Sequence, residues 1–374
     1  MNSVVPWHIN HREELLHGRY ISAKKIEPLL HNLKESFLLK TIGYSVENRP
    51  IYSVEIGQGD LKILMWSQMH GNESTTTKAV FDLFKALDDP NAPEIFKQIV
   101  KKCSLCVIPQ LNPDGATAYT RNNAADIDLN RDAQTLSQPE SKVLRKLFDD
   151  FQPDVCFNLH GQRTIYGLSA TATPSIMSFL APAADEERSI TLSRKRAMST
   201  ISHINKELIS ELNQHIGRYD DGFNINCTGD TFMSEGVPTI LFEAGHYPQD
   251  YEREKVRQLI FQAMIAAISG LMNGLDYEIE DYYSIPEHEK CYCDVLIRDT
   301  SEGNIVIQFE ETLSNDTIDF VPKVERIGSE EVIFGHRLID AKGQKVSHTN
   351  GDILRIGDVI RELKINDDFT ITLS

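Results

Sequence analysis

The chain has 374 residues, 41% of them hydrophobic and 25% charged, a composition that supports a full globular core with room for a second domain and excludes a disordered or fibrous chain. A formal charge of −17 sets the surface against a phosphate backbone, so no nucleic-acid partner is expected. No run approaches the ~18 apolar residues of a membrane span, Met1 to Tyr20 lack the pattern of a secretion signal, and six cysteines in such a chain point to free thiols in the cytoplasm.

Residues 1–40 read as a helical extension, carried by the spacing in "SAKKIEPLLHNLKESF". "YSVEIGQGD" and "LKILMWSQ" read as two strands joined by a glycine turn, followed by a helix from about Ser74 to Leu87. "SLCVIPQLNPDG" is a strand that ends in an Asn-Pro-Asp-Gly turn. Its Cys103 and Cys106 have C-x-x-C spacing, but on a strand they point to opposite faces and serve as packing residues, as do Cys291 and Cys293. "QPESKVLRKLFDDF" has helical spacing, and "DVCFNLHG" and "PTILFEAGH" are two more buried strands. Between these strands, residues 185–213 are expected to be helical. The stretch "DYEREKVRQLIFQAMIAAISGLMNGL" is a helix with Val256, Leu259, Ile260, Ala263, Ala267 and Leu271 on one side.

Near-continuous apolar strands alternating with helices predict an α/β fold, with a mixed, mostly parallel sheet covered by helices on both faces. This first domain spans residues 1–280, and the strand ends of its sheet are the natural place for a site. From residue 285 to 374 the texture changes to short β-rich stretches between Gly, Asn and Asp turns, which predicts a small β domain.

His70 and Glu73 stand at the end of the apolar run Ile63 to Trp66, in "QMHGNES". Imidazole nitrogen and carboxylate oxygen are both good zinc donors, and a turn at a helix start lets residues three apart converge on one ion. A catalytic zinc takes a third protein ligand, and His160 in "FNLHGQ" ends another strand, with Gly161 after it permitting a tight turn. A zinc-bound water attacking an amide needs a base, and Glu243, directly after Ile240, Leu241 and Phe242, is a carboxylate that is costly to bury without a task. The oxyanion and a terminal carboxylate on the substrate both call for cationic donors. "AYTRNNAADIDLNRD" offers Arg121 and Arg131, with Asn130 beside the second, although pairing of these arginines with Asp126, Asp128 or Asp132 is the alternative.

His70 and Glu73, "NPDG" at Asn112 to Gly115, the segment from Arg121 to Arg131, "QPES" at Gln138 to Ser141, His160 and Glu243 occur in the order seen in zinc carboxypeptidases of the carboxypeptidase A type. The resemblance covers roughly residues 40–275. It implies that His70, Glu73 and His160 bind one zinc ion, that Arg121 stabilises the tetrahedral oxyanion, that Asn130 and Arg131 hold the substrate α-carboxylate, and that Glu243 acts as base and then acid. The implied activity is removal of a C-terminal residue from a peptide with a free carboxylate. An N-acyl-amino-acid deacylase resembling aspartoacylase or succinylglutamate desuccinylase is the alternative, because those enzymes share "HGNE", "DLNR" and an added β domain. Two departures from the pancreatic enzymes stand out. No tyrosine aligns with the one that covers the bound residue there, Tyr219 lying upstream and Tyr247 after the base, and the specificity position matches Gly229, which supplies no charge. Arg163, three residues beyond His160, is expected to favour acidic substrates.

Overall fold

A computed structural model describes residues 3–275, 278–329, 333–366 and 369–373. The chain divides into two compact units, one built from residues 1–162 and 176–287, the other from residues 163–175 and 288–374.

The first unit opens with α1 (Val4–His11) and α2 (Ala23–His31), followed by β1 (Leu38–Tyr44), β2 (Pro50–Ile56) and β3 (Leu61–Ser67). Next come α3 (Thr75–Asp88), α4 (Glu94–Lys102), β4 (Cys103–Ile108), α5 (Pro113–Ala118), α6 (Pro139–Phe151) and β5 (Val155–Gly161). The second unit takes β6 (Tyr166–Leu168) and β7 (Thr173–Pro174). The first unit then resumes with β8 (Met177–Leu180), α7 (Leu192–Leu212), β9 (Ile216–Arg218), α8 (Thr228–Ser234), β10 (Thr239–Ala244), α9 (Glu254–Asn273) and α10 (Ile279–Tyr283).

Eight strands form one mixed sheet in the order β1-β2-β4-β3-β5-β10-β8-β9. The central pairs β3 with β4, β3 with β5 and β5 with β10 are parallel, while β1 with β2, β2 with β4 and β8 with β10 are antiparallel. The strands joined by the glycine turn, β2 and β3, are not neighbours, since β4 lies between them.

Alternation along each strand sorts the side chains into two layers. Ile63, Met65, Phe157, Leu159, Ile240 and Phe242 enter the larger core with α3, α4, α7 and α9, whereas Leu64, Trp66, Cys106 and Cys156 pack with Leu144 and Phe148 of α6 and Phe232 of α8. Cys103 joins the first layer and Cys106 the second, and burial raises their thiol pKa values to about 11 and about 12, so the C-x-x-C spacing holds two inert packing residues.

Three local expectations change. The "NPDG" turn starts a helix: the Asn112 side-chain oxygen accepts from Gly115 N at 2.8 Å, capping α5, with Pro113 in its first turn. Residues 185–191 precede the helix expected there, because Thr191 accepts from Arg194 N at 3.2 Å and fixes the start of α7. Helix α9 buries Phe261, Met264, Ile265, Ala266 and Ile268 besides the expected stripe, as it packs against α3, α7, α4 and α1 together.

The second unit continues with β11 (Glu289–Lys290), β12 (Tyr292–Thr300), β13 (Gly303–Ser314), β14 (Thr317–Ser329), β15 (Phe334–Asp340), β16 (Val346–His348), β17 (Glu362–Ile365) and β18 (Phe369–Thr372). These form sheets ordered β11-β6-β7, β14-β13-β12-β15 and β16-β17-β18, over a core that includes Val295, Ile297, Ile305, Ile307 and Leu363.

Helix α3 begins immediately after the "HGNES" turn, and a buried ion cluster holds it in place. Asp82 accepts from Arg257 Nε at 2.7 Å and pairs with His8 Nε2 at 2.7 Å, tying α3 to α9 and α1. Burial alone would raise the Asp82 pKa, but these partners outweigh it and hold the carboxylate below its usual range. Removing one member leaves the others buried and uncompensated, so Asp82→Ala should destabilise the fold by about 3–5 kcal/mol, read from the midpoint and slope of urea unfolding.

Candidate metal and active site

His70 and Glu73 occupy the turn between β3 and α3. Glu73 N donates to His70 O at 3.1 Å, which brings both side chains to one side of the turn. The turn is pressed against the start of α5: a Cβ on Gly71 would lie 1.9 Å from the Gly115 carbonyl carbon, so only glycine fits. Gln68 enters the turn with φ 49°, and its buried amide donates to Gly71 O at 2.7 Å and to Ile21 O at 3.0 Å while accepting from Thr77 and Gln110. Backbone bonds from Gly71 N to Arg121 O and from Asn72 N to Thr120 O attach the Arg121 loop to the same turn.

The Glu73 carboxylate is the meeting point. Its Oε1 is 2.9 Å from His70 Nδ1 and accepts from Arg121 Nη1 at 3.3 Å, and its Oε2 is 2.9 Å from His160 Nδ1 and accepts from Gly161 N at 3.0 Å. The two imidazole Nδ1 atoms are 3.0 Å apart. Gly161 remains within β5, paired with Ala244, so the turn expected after His160 starts later. One atom each from His70, Glu73 and His160 lies within 4.8 Å of the others, and His160 Nε2 has no hydrogen-bond partner. Two imidazoles and a carboxylate converging in this way fit a zinc ion.

Burial opposes charging each of these groups, and the outcome depends on the neighbours. Glu73 is held well below the usual carboxylate range because both histidines outweigh its desolvation. His70 is raised despite burial by Glu73 and Asp128, while His160 is lowered, burial prevailing over its contact with Glu73.

Asp128 is a member of the site that the sequence offered only as a partner for the arginines. Its Oδ1 is 3.0 Å from His70 Nε2, and its Oδ2 accepts from Arg121 Nη2 at 3.1 Å. A carboxylate on the far nitrogen of an imidazole fixes both ring orientation and tautomer. The pairing of Arg121 with Asp128 and its reach toward Glu73 therefore coexist, and the Arg121 side chain stays 48% exposed, available to a ligand. The signal was present as the "DLNR" spacing: Asp128 Oδ1 also accepts from Asn130 N at 2.9 Å, capping the short 3-10 turn Leu129–Arg131.

That turn carries Asn130 and Arg131. Asn130 Oδ1 accepts from Thr228 N at 3.1 Å, and Arg131 Nη1 donates to Asn130 O at 2.7 Å and to Cys227 Sγ at 3.1 Å. Glu243 sits on β10 in register with His160 on the adjacent parallel strand β5, so the two side chains emerge beside each other on one face. It is 9% exposed, its Oε2 has no hydrogen-bond partner, and burial, followed by the charge of Glu73, raises its pKa well above the carboxylate range. Tyr247 packs against the larger core, Tyr219 follows β9, and Arg163 is exposed in the second unit.

The model of the zinc carboxypeptidase family matches residues 26–226. The chain belongs to the zinc carboxypeptidase family. This match spans the three donors, Arg121, Asn130 and Arg131, and ends before Glu243. Carboxypeptidase SOL1 of Arabidopsis thaliana is 27% identical over 195 residues, covering 48% of this chain and 39% of that protein. Carboxypeptidase D of Rattus norvegicus is 32% identical over 149 residues, covering 34% of this chain and 11% of that one. The chain thus spans less than half the length of these relatives. A metallo-carboxypeptidase from Burkholderia cenocepacia shares the fold with a TM-score of 0.54 at 16% identity, over 68% of this chain and 69% of that structure.

Protein stripped of metal should take up one zinc per chain. Asp128→Ala should weaken that binding by about 10- to 100-fold, and His160→Ala by more, both measured by competition with a chromophoric chelator.

Proposed function

We propose that this zinc carboxypeptidase family member hydrolyses the C-terminal peptide bond of peptides that carry a free α-carboxylate. The observation that carries the reading is the register of β5 and β10, which stands a buried carboxyl with an unpartnered oxygen, Glu243, beside a two-histidine, one-glutamate donor set. Held by His70, Glu73 and His160, zinc would supply Lewis acidity for a water and for the scissile carbonyl.

The remaining chemistry falls to side chains of the chain itself. Glu243 takes the proton of the attacking water and returns it to the leaving amine nitrogen, acting as base and then acid. Its raised pKa suits the second task, and cationic charge in the donor set opposes the effect of Glu73 and favours the carboxylate needed for the first. Arg121, braced by Asp128, presents N–H donors where the oxyanion develops. Asn130 and Arg131 hold the substrate α-carboxylate, their turn fixed to Cys227 and Thr228.

A cytoplasmic setting is part of the proposal and is supported by six cysteines that are all free, five of them buried.

The test is a pool of free-acid peptides, the same peptides as C-terminal amides, and N-acyl amino acids, incubated with zinc-loaded protein and read by mass spectrometry. Single-residue loss from the free acids alone is expected, and cleavage confined to N-acyl amino acids would assign the chain to deacylation. Glu243→Gln should keep its zinc yet lose about 3 kcal/mol of transition-state stabilisation, roughly two orders of magnitude in kcat/KM. Wild-type activity in that variant would defeat the mechanism.

A further inference from the structure

The face of the sheet that carries His160 and Glu243 continues past them. Asn158, two residues before His160 on β5, shares its face, and its register partner on β10 is Leu241, two residues before Glu243. Leu241 is the half-buried position in an otherwise buried strand, and it pairs in turn with the half-buried Leu180 of β8. The sheet is therefore open at Leu241 and Leu180, with Asn158 beside them.

The first turn of α8 faces this opening. A Cβ on Gly229 would lie 3.1 Å from Pro182 Cγ and 3.9 Å from Asn158 Nδ2. The same turn supports the carboxylate clamp, since Thr228 N donates to Asn130 Oδ1 at 3.1 Å and Arg131 Nη1 reaches Cys227 Sγ at 3.1 Å. A residue whose α-carboxylate is held at Asn130 and Arg131 thus has Gly229 beside it, with Pro182 closing one side of that position and Asn158 next to it.

Asn158 is 2% exposed and its Oδ1 has no hydrogen-bond partner. A buried carboxamide in that condition carries a desolvation cost that an incoming hydrogen-bonding group would relieve. Asn158 is itself neutral, and burying a charged side chain against a neutral partner costs more than burying a hydrogen-bonded neutral one. A neutral group that offers a donor and an acceptor side by side, so that two parallel bonds to the Asn158 carboxamide form at once, is another carboxamide.

We propose that Asn158 is a specificity-determining residue and that the site selects a C-terminal glutamine or asparagine, the substrate carboxamide pairing with that of Asn158 beside Gly229. This inference rests on the carboxypeptidase reading above.

The experiment compares peptides that differ only in their last residue: glutamine, its apolar near-isostere methionine, leucine, glutamate and lysine. Zinc-loaded wild-type protein should favour glutamine over methionine by about a hundredfold or more in kcat/KM, because a site built to hydrogen-bond a polar group rejects the analogue lacking it. In Asn158→Leu the ratio should fall to within about threefold of unity, with zinc content unchanged. Asn158→Ala provides a second variant should the leucine not fold. Equal use of glutamine and methionine by wild type, a preference for glutamate or lysine, or an unchanged ratio in a folded Asn158 variant would overturn the proposal. Failure to cleave any of the peptides would instead strike the activity itself. In that event the affinities of N-acetylglutamine and N-acetylmethionine for the metal-free protein, measured by calorimetry, decide the matter: tighter binding of the amide, lost in Asn158→Leu, is the expected result, and equal binding overturns it.

Discussion

The largely buried carboxylate of Glu73 is the interaction on which the site depends. It accepts at once from a backbone N–H and a guanidinium and faces both imidazoles, so three segments distant in sequence are fixed by a single charge. Burying that charge costs several kcal/mol before its partners are counted. The arrangement is therefore tolerable only while those partners, or a cation among them, are present. After burial, the same charge raises the Glu243 pKa, so the proton affinity of the proposed base depends on the donor set as well as on its own surroundings.

What keeps Glu73 in place is mostly backbone. The β3 to α3 turn is bound to the Arg121 loop by two main-chain hydrogen bonds and to α5 by a glycine contact, while β5 and β10 are locked in parallel register. Side chains on such elements are positioned more closely than they would be on free loops. Asp128 belongs to both systems: it caps the turn that bears Asn130 and Arg131 and it also braces His70 and Arg121.

Much of this was legible in the sequence, and the parts that were not share a cause. The apolar runs ending at Ser67 and at Gly161, and the stripe of α9, revealed the layered sheet because strand and helix periods are local signals. Thr191 and Asn112 were misjudged because a cap and a turn use the same residue types, and tertiary packing decides between them. The sheet order, with β4 inserted between β2 and β3, is a long-range property that no local pattern carries. Asp128 was visible as a carboxylate near two arginines, but its contact with His70 crosses 58 positions and needs the fold. Asn158 was hidden for another reason: an asparagine in an apolar strand reads as an ordinary core residue until its oxygen proves to have no partner.

The close approach of Gly71 to Gly115 bears on how the protein is made. The donors at 70 and 73 reach their final geometry only after the chain as far as Arg121 has closed a loop onto their turn, and His160 arrives later still from the ribosome. Loop closure of this kind has its entropic cost before any metal can repay it. The nascent chain consequently has no complete donor set until His160 has been made and β5 has paired with β3, and metal capture cannot precede that pairing.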